Sequence, residues 1–327
     1  MIKVAVTGGS GFIGSHFIKA AQSGFDIKLL GRRSPDPRVP FTGVSLRDVD
    51  GLSRALAGCD AVVHCAHNSA DEEENAVWAA NLMLAANQAA VGRIIAFGTF
   101  ATYDNSGAVI DSNTPDCTAR IPYVAGKRKL EKTLTDALSQ FPNLQLAFLQ
   151  PTIVVGRDGS WDRFARRLQN TQRILLPENG EGICNLVRVE TVVDAILRCL
   201  QAPTSAFGRE RILKALVTDD KPITWAEWLS KHYGIPMDRM EACNSRPWAE
   251  SFKRNMLLSI RYSALGDLAT KMRSSKKGLA KEPAMPEEER EAAVTELAVS
   301  SHPIYIPEGL DRLTMACRAI VHNGVLP

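Results

Sequence analysis

The sequence predicts an α/β fold: a doubly wound parallel sheet with helices on both faces, followed by a smaller C-terminal substrate domain. Two observations predict it. The first seventeen residues read as strand, glycine turn and helix start. The same alternation of short apolar runs with amphipathic stretches then continues to about residue 217. On this pattern residues 1–157 and about 189–217 form a nucleotide-binding domain, and about 158–188 with 218–327 the substrate domain.

Ile2 to Val6 is apolar and rich in β-branched residues, the mark of a buried strand. The run TGGSGFIG from Thr7 to Gly14 follows, and Phe12, Ile13, Phe17 and Ile18 then recur at helical spacing. Strand, glycine turn and helix start make an anion site, because first-turn N–H groups are free and side-chain-free glycines admit a pyrophosphate. Gly8, Gly11 and Gly14 have the spacing G-x-x-G-x-x-G, not the commoner G-x-G-x-x-G.

Asp26 to Leu30 is the second strand, ending at Gly31-Arg32-Arg33. An acid at this strand end would hold the ribose 2′-hydroxyl of NAD, whereas here two guanidinium groups match a 2′-phosphate. The expected cofactor is therefore NADP in preference to NAD. The plain alternative is a solvated charge pair opening the polar loop Ser34 to Pro40.

Leu52 to Leu56 reads as a short helix and Asp60 to Cys65 as the third strand. Asp71 to Ala90 reads as a long helix, with Asp71, Glu72, Glu73 and Glu74 in its first turn, where the dipole favours them. Arg93 to Phe97 is the fourth strand, Tyr123 to Leu138 a helix, and Leu144 to Leu149 the fifth strand. A sixth strand, Arg211 to Val217, returns after the helix Thr191 to Leu200.

A doubly wound sheet binds ligands beyond the carboxyl ends of its strands, which directs attention to Thr99 and to Tyr123-Val-Ala-Gly-Lys127. Tyr and Lys four apart share a helix face. There the ammonium should lower the phenol's pKa towards working pH. Thr99 could then hold a substrate oxygen while Tyr123 moves its proton and the nicotinamide moves a hydride. Five tyrosines give roughly 0.3 chance matches to Y-x-x-x-K, so the pattern draws its weight from its place in the fold.

These residues together resemble the extended short-chain dehydrogenase/reductases, the NAD(P)-dependent sugar epimerase/dehydratase family, whose sheet is a Rossmann fold. The resemblance rests on Thr7 to Gly14, on D-x-V-x-H-x-A at Asp60 to Ala66, and on Thr99 with Tyr103 four residues on. It extends to Tyr123 to Lys127, to Gln150 to Gly156, and to Val189 to Ala195. It implies that Gly8, Gly11, Phe12, Ile13 and Gly14 line the pyrophosphate, and Arg32 with Arg33 the adenosine end. It places Ser45 and Leu46 near adenine, although the family's acid is absent there. Cys65, Ala66 and His67 would follow the ribose and phosphates. Asn81 matches an asparagine of the long helix, and Pro151 and Thr152 would approach the nicotinamide. Thr99, Tyr123 and Lys127 would carry the chemistry, with Tyr123 and Lys127 also touching cofactor.

The departures narrow the expectation. The family's sugar dehydratases place Asp-Glu directly after the threonine, but Phe100-Ala101 stand here and cannot exchange a proton. Tyr103-Asp104 and Gln150 replace Tyr-Gly and Arg near the substrate. The expected activity is a reductase or dehydrogenase acting on a carbonyl or secondary alcohol of a sugar-like or other polar small molecule. The alternatives are a nucleotide-sugar epimerase retaining NAD, and a non-catalytic NADP-binding sensor or assembly factor. The family's habit of pairing its two long helices implies a possible homodimer.

Other residues carry plainer readings. His64 lies inside a strand and reads as a packed residue, His16 as a helix-surface one, and Asp158, Trp161 and Arg163 as either substrate contacts or solvated loop. Thr224 with Glu227 three on caps a helix whose apolar side is Trp225, Trp228 and Leu229. Ser274 to Glu291 reads as a mobile polar loop.

A net charge of +3 gives no argument for nucleic acid or membrane. No apolar run approaches the roughly 20 residues of a membrane span. The seven cysteines form no C-x-x-C pair. They read as reduced thiols of a cytoplasmic protein, with neither a disulfide frame nor a metal site.

Overall fold

The computed structural model describes residues 1–34, 36–69, 71–103, 122–170, 174–176, 183–184, 186–219 and 223–242. The polar stretch at 274–291 lies outside the described residues.

The chain opens with β1 (Lys3–Thr7), α1 (Phe12–Ala21), β2 (Asp26–Gly31), β3 (Phe41–Gly43), α2 (Val49–Leu56) and β4 (Ala61–His64). It continues with α3 (Glu72–Gln88), β5 (Arg93–Phe97), α4 (Pro122–Gln140) and β6 (Gln145–Pro151). Then come β7 (Ile153–Val155), α5 (Ser160–Leu168), β8 (Ile174–Leu176), β9 (Ile183–Cys184), β10 (Leu186–Arg188), α6 (Val189–Gln201), β11 (Ile212–Val217), β12 (Ile223–Thr224), α7 (Trp225–Tyr233) and β13 (Met240–Ala242).

Seven strands form one parallel sheet in the order β11-β6-β5-β4-β1-β2-β3. Strand order reverses at β1, which pairs with β2 on one side and β4 on the other, and the crevice of such a sheet opens at that reversal.

The alternation of side chains decides which face each helix covers. Val4, Val6, Ala61, Val63, Ile95, Phe97, Ala147 and Leu149 point into a cluster with Phe17 and Ile18 of α1 and Val192 and Ile196 of α6. Ala5, Val62, Ile94, Ala96, Leu146 and Phe148 point to the other face, against Leu52, Leu82, Met83, Leu130 and Leu134 of α2, α3 and α4. Strands buried on both faces are why each reads as a continuous apolar run. Phe17 and Phe148 are at most 1% exposed, and truncating either to Ala should cost about 3–5 kcal/mol.

A third cluster lies apart from both faces of the sheet. Val155, Ala165, Leu168, Ile174, Leu186, Trp225, Trp228 and Leu229 form it, with Trp161 against Trp225 at 5.5 Å between ring centres. Thr224 caps α7 in the expected way: its hydroxyl accepts from Glu227 N, and the Glu227 carboxylate accepts from Thr224 N. Trp161 is thus a packing residue, and Arg163 donates to the Asp158 carbonyl.

The edge strand β3 was not expected. Only three residues long, it directly follows the polar loop Ser34 to Pro40, and it is held because it pairs with β2. The short strands β7, β8, β9, β10, β12 and β13 were not expected either; the six expected strands and the expected helices keep their types, with ends moved by a few residues.

Candidate functional site

The glycine turn leaves β1 between β2 and β4. Gly8 has φ +70°, and a Cβ there would lie 2.4 Å from Ala66 N, so only glycine lets the turn press against the chain leaving β4. A Cβ at Gly14 would lie 2.4 Å from the Gly8 carbonyl oxygen. Gly11 N donates to that same carbonyl at 2.9 Å, closing the turn.

Side chains cap some helix N-termini, Asp48 at α2, Asp71 at α3 and Thr224 at α7, whereas α5 and α6, like α1, begin without one. Gly11 at the start of α1 offers no side-chain cap. The first-turn N–H groups of α1, at Phe12, Ile13 and Gly14, therefore present donors and the positive end of the helix dipole at the sheet's crevice. That donor set fits a pyrophosphate. Phe12 is also pinned from above, since Cβ atoms at Gly156 and Gly159 would lie 3.1 and 2.8 Å from its Cζ.

Arg32 and Arg33 stand exposed at the end of β2. Arg38, a few residues on, is instead committed to Asp36 at 2.8 Å. Ser45 accepts from Arg47 N at 3.2 Å, and Asn81 Nδ2 donates to the Leu46 carbonyl at 3.0 Å. Asn81 thus ties α3 to the loop that carries Ser45 and Leu46. Cys65 continues β4, its N–H donating to the Thr7 carbonyl at 3.0 Å, and burial pushes its thiol up to about 12. Ala66 and His67 follow, with His67 Nε2 3.3 Å from Glu72 Oε1.

His64 is the packed strand residue expected. Its Nδ1 is 2.7 Å from the Thr7 hydroxyl, and burial, with Lys127 and His67 adding to it, holds its pKa down at about 4. His16 is half-buried on α1, 2.9 Å from the Phe12 carbonyl. Pro151 and Thr152 are buried at the end of β6, Thr152 N donating to the Val217 carbonyl at 3.0 Å.

Thr99, Tyr123 and Lys127 come together. Thr99 is 6% exposed and caps a single 3-10 turn (Phe100–Thr102), accepting from Ala101 N. Its side chain hydrogen-bonds the Tyr123 phenol in a way that favours the phenolate. Lys127, 7% exposed, donates from Nζ to the Phe97 carbonyl at 3.2 Å.

The expected lowering of the phenol by Lys127 does not hold. Lys127 Nζ reaches back to the strand end and lies 5.9 Å from the Tyr123 ring centre. Burial is the larger influence and pushes Tyr123 up to about 12, with Glu72 adding to it against the Thr99 bond. Burial also pulls Lys127 down to about 8, with Glu72 opposing. Glu72 escaped the sequence reading. It stands among three other acids at a helix start, and only the packing of α3 on α4 brings it to Tyr123.

Tyr103 is also placed unexpectedly. Its hydroxyl donates to Gln150 Oε1 at 2.8 Å, while Gln150 Nε2 donates to Thr102 Oγ1 at 3.3 Å. Gln150 is fully buried, so this pair is spent on internal hydrogen bonds.

Sheet order and glycine turn together define a doubly wound α/β protein of the nucleotide-binding kind. The chain belongs to the NAD dependent epimerase/dehydratase family, whose model matches residues 4–212. It is 30% identical to the UDP-glucose 4-epimerase of Lacticaseibacillus casei over 150 residues, 40% of this chain and 45% of that protein. It is 39% identical over 74 residues to a decarboxylating sterol-4-alpha-carboxylate 3-dehydrogenase of Dictyostelium discoideum, 20% of this chain and 22% of that one. The chain thus spans less than half the length of either curated relative. Among solved structures, the dTDP-glucose 4,6-dehydratase DesIV of Streptomyces venezuelae, with NAD and TYD bound, superposes with a TM-score of 0.61 at 21% identity. That match covers 75% of this chain and 85% of DesIV, a likeness of fold. Among the described residues, no helix is long and apolar enough to cross a membrane.

Proposed function

We propose that this chain is an NAD(P)-dependent oxidoreductase of the extended short-chain type. Its substrate would be a carbonyl or secondary alcohol on a sugar-like or other polar small molecule. One observation carries this reading: the Thr99–Tyr123 hydrogen bond, backed by buried Lys127, at the strand end beside the glycine turn. The bound nicotinamide supplies or accepts the hydride.

The chain's own residues do the rest. Backbone N–H groups of the turn from Gly8 to Gly14, with Gly11, Phe12 and Ile13 between, hold the pyrophosphate. Arg32, Arg33, Ser45 and Leu46 receive the adenosine end, with Asn81 steadying their loop. Cys65, Ala66 and His67 follow the ribose and phosphates, and Pro151 and Thr152 bound the nicotinamide. Thr99 holds the substrate oxygen. In reduction Tyr123 gives that oxygen its phenolic proton, and in oxidation it takes the proton back. A phenol pushed up to about 12 carries its proton at neutral pH, which suits it to the acid's part.

NADP is the preferred cofactor in this reading because Arg32 and Arg33 are exposed at the strand end where a 2′-phosphate would lie. Calorimetry with the four nicotinamide nucleotides tests it. A ten-fold preference for NADPH over NADH, about 1.4 kcal/mol, supports the arginines as phosphate ligands. NAD released on denaturation would instead favour the second reading, an epimerase that retains its cofactor, which the likeness to the Lacticaseibacillus casei epimerase supports. Tyr123→Phe separates both from a mere binder, because it should abolish turnover and leave cofactor affinity largely intact.

The tryptophan cluster around α5 and α7, apart from the sheet, supports a substrate domain formed by residues 158–188 and 218–327. Val77 and Leu84 are 52% and 40% exposed on one face of α3, which supports a homodimer through α3 and α4. Sedimentation would detect it.

A further inference from the structure

Glu72 does nothing in the mechanism above, yet it is held hard against it. A Cβ at Gly126 would lie 2.6 Å from Glu72 Cβ and 3.0 Å from its Oε2, so α3 and α4 touch at this point more closely than any other residue at 126 would permit. Gly126 lies between Tyr123 and Lys127 on α4, and the contact brings a carboxylate to both. Two further groups fix its aim. His67 Nε2 lies 3.3 Å from Oε1, and Asn75 Nδ2 donates to Oε2 at 3.2 Å. The His67 ring itself stands edge-on to Tyr123, at 6.0 Å between centres and 87° between planes.

From the other packed elements, His64 of β4 faces Lys127 and His67 while bonded to Thr7. Glu73 and Lys129 pair with each other across the same two helices at the surface. The carboxylate of Glu72 is thus the anion that faces Tyr123 and Lys127 among the described residues.

We propose that Glu72, clamped by His67 and Asn75, is a positioning residue that opposes the Thr99 hydrogen bond at Tyr123 and so sets the proposed site to donate a proton. An anion beside a phenol opposes a second anion there, and beside an ammonium it favours the cation. Both effects run the same way here, since Glu72 acts to raise Tyr123 and Lys127 alike. Its consequence for turnover rests on the proposed reductase reading; its electrostatic effect does not.

The test is a phenolate titration by ultraviolet difference absorbance on the full chain, with Tyr123→Phe subtracted to isolate Tyr123 from the other four tyrosines. Glu72→Gln should lower the Tyr123 midpoint by about one pH unit, while Glu72→Asp should restore most of it. The alkaline limb of any pH–rate profile should move down with it. An unmoved midpoint in a folded Glu72→Gln protein overturns the proposal. If that variant does not fold, His67→Gln removes the clamp from the other side and should lower the midpoint by a smaller amount; no movement there overturns it equally. Persistence of turnover in Tyr123→Phe would sink the reductase reading and leave the titration result standing.

Discussion

Two tyrosine–lysine pairs lie at the sheet, and they are built to opposite ends. At its outer edge, Lys214 of β11 stands 5.2 Å from the Tyr103 ring centre and pairs with Glu131 of α4 at 2.5 Å. Burial works against that ammonium, but Glu131 and Tyr103 more than restore it, so its pKa is raised. The Tyr103 hydroxyl is spent on Gln150. Every polar group has an internal partner, and the pair behaves as part of the framework. At the ends of the inner strands, Lys127 donates to a backbone carbonyl, its pKa is pulled down to about 8, and Tyr123 meets a hydroxyl from another element. The same two residue types become scaffold when a carboxylate neutralises them directly. They become a candidate proton site when the carboxylate, Glu72, faces them without that direct bond.

The largest test of this contrast is substitution of the two phenols. Tyr123→Phe should cut turnover by about 10²–10⁴-fold, measured by nicotinamide absorbance with a panel of polar carbonyl substrates, whereas Tyr103→Phe should leave turnover nearly unchanged. Equal losses would erase the distinction.

Next comes pH. Lys127 binds its proton less tightly folded, at about 8, than unfolded, at its ordinary 10.5. The unfolded chain therefore holds more protons between those values, and native stability gains from this group as pH rises through that window. It is lost again as pH falls through about 8. Urea melts at pH 7.5 and 10 should show the wild type gaining on Lys127→Met, by up to about 3 kcal/mol. A constant difference would mean that Lys127 is not desolvated as described. Lys214, whose pKa is raised, should show no such gain.

The Arg32→Ala, Arg33→Ala double variant should weaken NADPH binding about ten-fold, or 1.4 kcal/mol, and leave NADH unaffected in calorimetry. Smallest is the framework pair itself: Tyr103→Phe removes one internal hydrogen bond and should cost about 1 kcal/mol in a denaturant melt.

Much of this is legible in the sequence. The order of strands and helices follows from apolar runs that are continuous because both faces of the sheet are covered, as the alternate burial of Val4, Ala5 and Val6 in two clusters demonstrates. The Thr224 cap is a local pattern and could be read locally. The strand β3 escaped because three residues have no period of their own, and a neighbouring strand selects them. Thr99, Tyr123 and Lys127 could be found because each falls at a predictable end of an element. Their ionisation could not, because a helix face fixes which residues are neighbours and not how deeply they are buried or what reaches them from the next helix.

By itself, then, the sequence determined the doubly wound sheet, the glycine turn at its switch point and the residue types that meet there, since these depend on periodicity and backbone sterics within a few residues. Tertiary structure alone decided that Lys127 turns to the Phe97 carbonyl, that Tyr103 is spent on Gln150, and that Gly126 admits Glu72. Those outcomes depend on distances between elements far apart in the chain, and on the water that close packing removes from around them.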